Sequence, residues 1–173
     1  MKILVAGIGN IFMGDDGFGC EVATRLVQRQ VPDGVDVADF GIRGLDLGYA
    51  LMEGYEVVIL IDTVDRGEAP GTIYLIEPQI GDATTPGRGE QLMSPHGMDP
   101  ASVLRFIAAL DQQHPRVLMV CCQPASLGGE HGHMGLSDAV TRAVDKAVVE
   151  VLGLLNELSA DETRSLTAPG GSK

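Results

Sequence analysis

The sequence predicts a three-layer α/β/α sandwich around a five-stranded, mostly parallel sheet, and three observations carry that prediction. Apolar runs at 2–7, 56–62 and 116–122 are continuous rather than alternating, which marks strands buried on both faces. Segments with helical spacing of apolar residues lie between most of the strands. One connection, 62 to 71, is too short and has no helical pattern, so the strand after it runs antiparallel to its neighbours.

In chain order, KILVAG (2–7) is the first strand. Residues 18–30 form a helix, with Phe18, Val22, Leu26 and Val27 on one face. PDG (32–34) is a turn, and VDVADF (35–40) alternates as a strand. A short helix at 45–53 precedes EVVILID (56–62), the strongest buried-strand signal. GTIYLIEP (71–78) is the antiparallel strand, and 79–98 a loop rich in Gly, Pro, Thr and Ser, long enough to carry function. Asp99-Pro100 opens a helix to about 112, with Asp as cap and Pro at the first helical position. RVLMVCC (116–122) is the fifth strand, 123–135 a Gly/His-rich loop, and 136–158 the longest helix, capped by Ser137. The expected organisation is a single domain over 1–158 and a disordered polar tail over 159–173.

At 173 residues the chain buries a sufficient core without staples. The net charge of −12 disfavours nucleic acid, whose binding draws on Lys and Arg, and disfavours an anionic membrane surface. Three cysteines, two of them adjacent, form no disulfide framework and suggest a reducing cytoplasm. No secretory signal or membrane span is expected. A monomer is expected, because the helices leave no long apolar face uncovered.

In such folds ligands bind beyond the carboxyl ends of the strands. Asp15 and Asp16 follow the first strand, Asp62 ends the third, and His96 lies in the long loop before the next helix. Two carboxylates and an imidazole converging there would make a metal site with open positions, suited to nickel, zinc or a similar ion. Taken singly, an Asp at a helix start is usually a cap, an Asp ending a strand a turn former, and a loop His a bystander. Their shared edge makes the case.

The glycine-rich GIGN turn invites a nucleotide reading, but Phe12 stands where the third glycine of G-x-G-x-x-G belongs and Gly14 comes two places late. A carboxylate ~6 Å from a phosphate charge costs about 3 kcal/mol at an effective dielectric of about 20, and the loop has no Lys or Arg to offset it. No nucleotide cofactor is therefore expected, although Asp39 could serve as the ribose-binding acid of a dinucleotide site. His131 and His133 offer an accessory metal contact at most. Cys121 and Cys122 point to opposite faces of one strand, cannot chelate one ion together, and read as packed thiols. No G-x-S-x-G nucleophile motif occurs.

GIGNIFMGDDGFG, DFGIRG, VVILIDTVDRGEAPGTIY, SPHGMD and GHMGLSDAVTRAVDKAV occur in this order from about residue 2 to 155. Together they resemble the hydrogenase maturation endopeptidases, which process the large subunit of nickel-iron hydrogenases. The resemblance implies strand order 2-1-3-5-4 and a metal-binding and catalytic set at Asp16, Asp62 and His96, with Asp16 standing where some members carry Glu. It implies a substrate-selecting stretch at 39–44, including Asp39, Gly41 and Gly44. It also implies removal of a C-terminal extension from the precursor, with nickel supplied by that precursor. The rivals are a non-catalytic nickel-binding maturation factor, a nucleotide module and a related peptidase with another substrate.

Overall fold

The computed structural model describes residues 1–78, 103–105, 107, 115–129 and 132–167, with side chains through 163. The elements are β1 (Ile3–Ile8), α1 (Phe18–Val27), β2 (Val35–Gly41), α2 (Gly44–Leu51), β3 (Val57–Thr63), β4 (Ile73–Ile76), β5 (Arg116–Cys122) and α3 (Asp138–Thr167). A 3₁₀ turn, Gly14–Gly17, leads into α1. Residues 103–105 and 107 are helical, inside the helix expected over 99–112; the rest of that segment lies outside the described residues.

The five strands stand in the order β2-β1-β3-β5-β4, as the resemblance implies. Pairs β1–β2, β1–β3 and β3–β5 are parallel. β4 runs antiparallel to β5, Tyr74 opposite Cys121, which the short 62–71 connection dictates.

Strand alternation divides the core into two layers. Val5, Ile59 and Val120 face α1 and α3, packing with Phe18, Val22 and Val144. Leu4, Leu60 and Met119 face α2 and the helical residues at 103–107, packing with Leu47, Leu51 and Ile107. Each such aliphatic or aromatic side chain contributes roughly 1.5–3 kcal/mol on burial. Cys122 belongs to the first layer and Cys121 to the second, so the adjacent thiols do point apart.

The structure corrects the end of the last helix. α3 runs to Thr167, nine residues beyond the stop expected at 158, so 159–167 are helical; 168–173 lie outside the described residues. Ser159 Oγ bonds back to the Leu155 carbonyl at 2.8 Å and Thr163 Oγ1 to that of Ser159 at 3.0 Å. Glu162 on this turn meets the Met1 ammonium. A polar composition alone hides this, because the added turns are held by tertiary contact rather than by an apolar stripe. No described helix is long and apolar enough to cross a membrane.

Candidate active site

The site is set by how closely α1 approaches the sheet. A Cβ at Gly19 would stand 2.1 Å from the Ile61 carbonyl oxygen and 2.2 Å from that of Ile8. Only glycine lets the first turn of the helix rest on the carboxyl ends of β1 and β3. The 3₁₀ turn carrying Asp15 and Asp16 is thereby held over that edge.

The loop between β1 and this turn uses its own donors. Asn10 N–H donates to Asp16 Oδ2 at 2.9 Å, Phe12 N–H to Asn10 Oδ1 at 3.0 Å and Met13 N–H to the Asn10 carbonyl at 2.9 Å. Gly9 has φ +133°, and a Cβ there would overlap the Asp16 carbonyl oxygen at 1.8 Å. In a phosphate loop such N–H groups face the ligand. Here an endogenous carboxylate takes one of them, which answers the nucleotide reading in structural terms.

Asp16 and Asp62 lie at the same edge of the sheet and share Thr63 as a hydrogen-bond partner. Asp16 is half-buried, and its Oδ1 accepts a long bond from Thr63 Oγ1 at 3.5 Å, one residue on from Asp62. Asp62 is 3% exposed, and its Oδ1 accepts the Thr63 N–H at 2.7 Å. The donor set expected at this edge needs an imidazole as well, and His96 lies outside the described residues. Among the described residues no three His, Cys, Asp or Glu side chains gather as a metal cluster. The two carboxylates offer hard oxygen donors of the kind that ligate divalent ions.

Asp15 behaves differently. It is 1% exposed and accepts four hydrogen bonds from the segment before α3: Ala125 N–H at 2.7 Å, Ser126 N–H at 3.1 Å, Ser137 N–H at 2.6 Å and Ser137 Oγ at 3.0 Å. Ser137 also caps α3 as expected, its Oγ accepting from Val140 N–H at 3.4 Å and its carbonyl from Thr141 N–H at 2.8 Å. His133 is exposed and contributes backbone, bridging to Met13; His131 lies outside the described residues.

Asp39 stands on β2 beside Gly7 of β1, just before an irregularity in register at Gly41. Its Oδ1 is buried and has no hydrogen-bond partner among the described residues. Its carbonyl accepts from Arg43. The Gly41 carbonyl accepts the Gly9 N–H at 3.1 Å, and Gly44 opens α2. Beside Asp39 the Cys20 thiol donates to the Gly9 carbonyl at 3.4 Å. Burial, then the Asp39 carboxylate, pushes this thiol up to about 12. Two clefts meet at Ile11, Cys20 and Asp39: one of about 460 Å³ toward Phe40, Ile42 and Arg43, the other of about 670 Å³ toward Met134, Gly135 and Leu136. Ile11, which lines both clefts, is 49% exposed, and Phe12, which lines the smaller one, 57%.

The family model for hydrogenase maturation proteases, HycI, matches residues 20–154. The chain belongs to the hydrogenase maturation protease family. The family's hydrogenase 2 maturation protease of Escherichia coli is 30% identical over 158 residues, covering 91% of this chain and 92% of its own. The solved hydrogenase maturating endopeptidase HybD of E. coli superposes with a TM-score of 0.71 at 27% identity, over 91% of this chain and 93% of that one. The hydrogenase 2 maturation peptidase of a Thaumarchaeota archaeon gives a TM-score of 0.67 at 32% identity, over 90% and 99%. Family membership sets aside the nucleotide module. The resemblance singles out Asp16 for the site but gives Asp15 no role; that role rests on contacts more than a hundred residues away.

Proposed function

We propose that the chain is an endopeptidase that removes a C-terminal extension from the large-subunit precursor of a nickel-iron hydrogenase, after nickel has entered that precursor. The observation that carries this reading is that Asp16 and Asp62 stand at one edge of the sheet, each bonded to Thr63, beside a loop whose Asn10 N–H is taken by Asp16.

In this reading nickel is part of the substrate. Asp16 and Asp62, with His96 as the third member, present donors that a nickel-loaded precursor engages and an empty one does not. The metal supplies Lewis-acid chemistry at the scissile carbonyl or at water. Asp16 Oδ1, with only the long Thr63 bond, is placed to accept a proton from attacking water, in which case the metal serves recognition alone. Asp39, with Gly41 and Gly44 shaping the turn around it, lines both clefts and selects the matching precursor by its negative charge beneath them.

The test mixes the protein with the precursor, loaded or unloaded with nickel, and reads the products by mass spectrometry. A C-terminal fragment appears only in the loaded sample. An uncut loaded precursor, together with tight binding of free nickel in equilibrium dialysis, would instead establish a non-catalytic nickel-binding factor.

A further inference from the structure

The acidic pair raises a question that the protease reading leaves open: what the second carboxylate is for. Asp15 gathers both ends of one segment. Its Oδ2 takes the N–H groups of Ala125 and Ser126 and the Ser137 hydroxyl, and its Oδ1 takes the Ser137 N–H. A single buried side chain thus ties residues 125–126 to residue 137 and both to the turn that carries Asp16.

Backbone bonds fasten the middle of that loop as well. Gly14 N–H donates to the His133 carbonyl at 2.5 Å, His133 N–H to that of Phe12 at 3.0 Å, and Asp15 N–H to that of Ser126 at 3.1 Å. The charge needs no cation to remain buried here. Three peptide N–H groups and a hydroxyl converge on it, and the amino end of α3 starts at the next residue after Ser137.

The consequence is a fixed wall. Met134, Gly135 and Leu136 face Ile11, Gly14 and Gly17 across the larger cleft, with Asp39 also lining it. Gly14 and Gly17 are the ends of the turn that holds Asp16. Asp16 itself is held from elsewhere, by Asn10 N–H and Thr63 Oγ1. Moving the wall therefore alters the approach to Asp16 and leaves the bonds of Asp16 intact.

We propose that Asp15 is a positioning residue that clamps residues 125–126 and 137, so that Met134, Gly135 and Leu136 form a rigid wall against which the precursor docks. The proposal rests on the protease reading for the identity of the docking partner. It assigns Asp15 to substrate binding and Asp16 to the chemistry, although the two are adjacent and chemically identical.

The experiment uses the full chain carrying Asp15→Asn. An amide keeps one acceptor oxygen and turns a donor NH₂ toward N–H groups that need an acceptor. Hydrogen exchange at the Ala125, Ser126 and Ser137 amides is expected to quicken about 100-fold, while β1 and β3 keep their protection. Cleavage of the nickel-loaded precursor is expected to show KM raised roughly tenfold and kcat within about twofold. Ser137→Ala removes one of the four bonds and gives the same pattern at smaller size, and it decides the matter where Asp15→Asn does not fold. Unchanged exchange in the clamped segment, or a fall in kcat at constant KM, overturns the proposal. A wild-type protein that leaves the loaded precursor uncut overturns the protease reading instead, and the exchange measurement on the protein alone still decides the clamp.

Discussion

The two ends of the sheet treat acidic side chains in opposite ways. At the amino end, Glu53 meets Lys2, Glu56 and Glu162 meet the Met1 ammonium, and Glu77 meets Arg116. At the carboxyl end, Asp15, Asp16 and Asp39 form no ion pair among the described residues. The amino-end pairs sit in water, where such contacts contribute little. The carboxyl-end acids are partly or wholly buried, where an uncompensated charge matters more. The difference teaches where to look for a positively charged visitor. One end pairs its acids with cations; at the other, among the described residues, hydrogen-bond donors stand in their place.

The largest effect that would sharpen this contrast comes from removing a carboxylate at the carboxyl end. Asp16→Asn and Asp62→Asn each keep the shape and take away the charge. Processing of nickel-loaded precursor is expected to fall about 10³-fold or more, equivalent to about 4 kcal/mol of transition-state stabilisation. Circular dichroism and the melting temperature should stay close to wild type for Asp16→Asn, because the bonds of Asp16 are few and one is long. Wild-type cleavage by either variant would break the comparison at its centre.

Next in size is an alkaline loss of stability that reports the same negative environment. Burial, then the Asp39 carboxylate, raises Cys20 to about 12; burial, then Asp62, raises Cys121 to about 12; burial, then Asp15, raises Cys122 to about 11. The folded pKa values lie above the ordinary value of 9.0, so the folded state keeps protons that the unfolded state releases. Stability is full below pH 9 and declines as pH rises toward 11–12, by about 1 kcal/mol per thiol near pH 10. Denaturant titrations between pH 8 and pH 10.5 check this. Cysteine-to-alanine variants should flatten the slope one thiol at a time.

A subtler effect is expected at Asp39. Its buried Oδ1 has no hydrogen-bond partner among the described residues, which costs stability. Asp39→Asn removes the charge and is expected to stabilise the free protein by roughly 0.5–1 kcal/mol, read as a higher melting temperature. The same change should weaken discrimination between matching and foreign precursors in paired cleavage assays. It should also lower the Cys20 pKa, measured from the pH dependence of alkylation, because the neighbouring carboxylate is the second cause of that shift. A variant that is less stable and fully selective would show the orphan oxygen to be structural.

How much of this was legible beforehand follows from the range of the forces involved. Strands β1, β3 and β5 are written in continuous apolar runs, and the reversal of β4 in the length of one connection. The placement of Asp16 and Asp62 at one edge follows from topology, since both end segments that run the same way through adjacent strands. The Ser137 cap is local and was readable for that reason. The resemblance picked out Asp16, but the role of Asp15 was not readable, because its partners at 125–126 and 137 are adjacent only in the folded chain. The last turns of α3 were hidden likewise, since Glu162 finds its partner at residue 1. The unpartnered oxygen of Asp39 is a property of packing, which no spacing of residues encodes.

The smallest expected effect tests the other side of the contrast. Arg116 and Glu77 form a two-pronged pair, Nε to Oε1 at 2.7 Å and an Nη to Oε2 at 3.0 Å, across the antiparallel β4–β5 ladder. The Arg116 hydrogen bond holds the Glu77 carboxyl below its ordinary range. A depressed carboxylate contributes stability that is present above its unfolded pKa and lost as pH falls through the folded value. Both side chains are 51% exposed, so solvent and salt screen the pair heavily. Glu77→Gln is therefore expected to lower the melting temperature by about 1 °C at neutral pH and low salt, by less in about 1 M salt, and by nothing once the wild-type carboxyl is itself protonated. Precursor cleavage should not change, because the pair lies at the amino end of the sheet, the whole length of a strand from Asp62. A cleavage defect in Glu77→Gln would mean that the two ends are coupled through β5, and the separation drawn between balanced and uncompensated charge would have to be replaced by one network spanning the sheet.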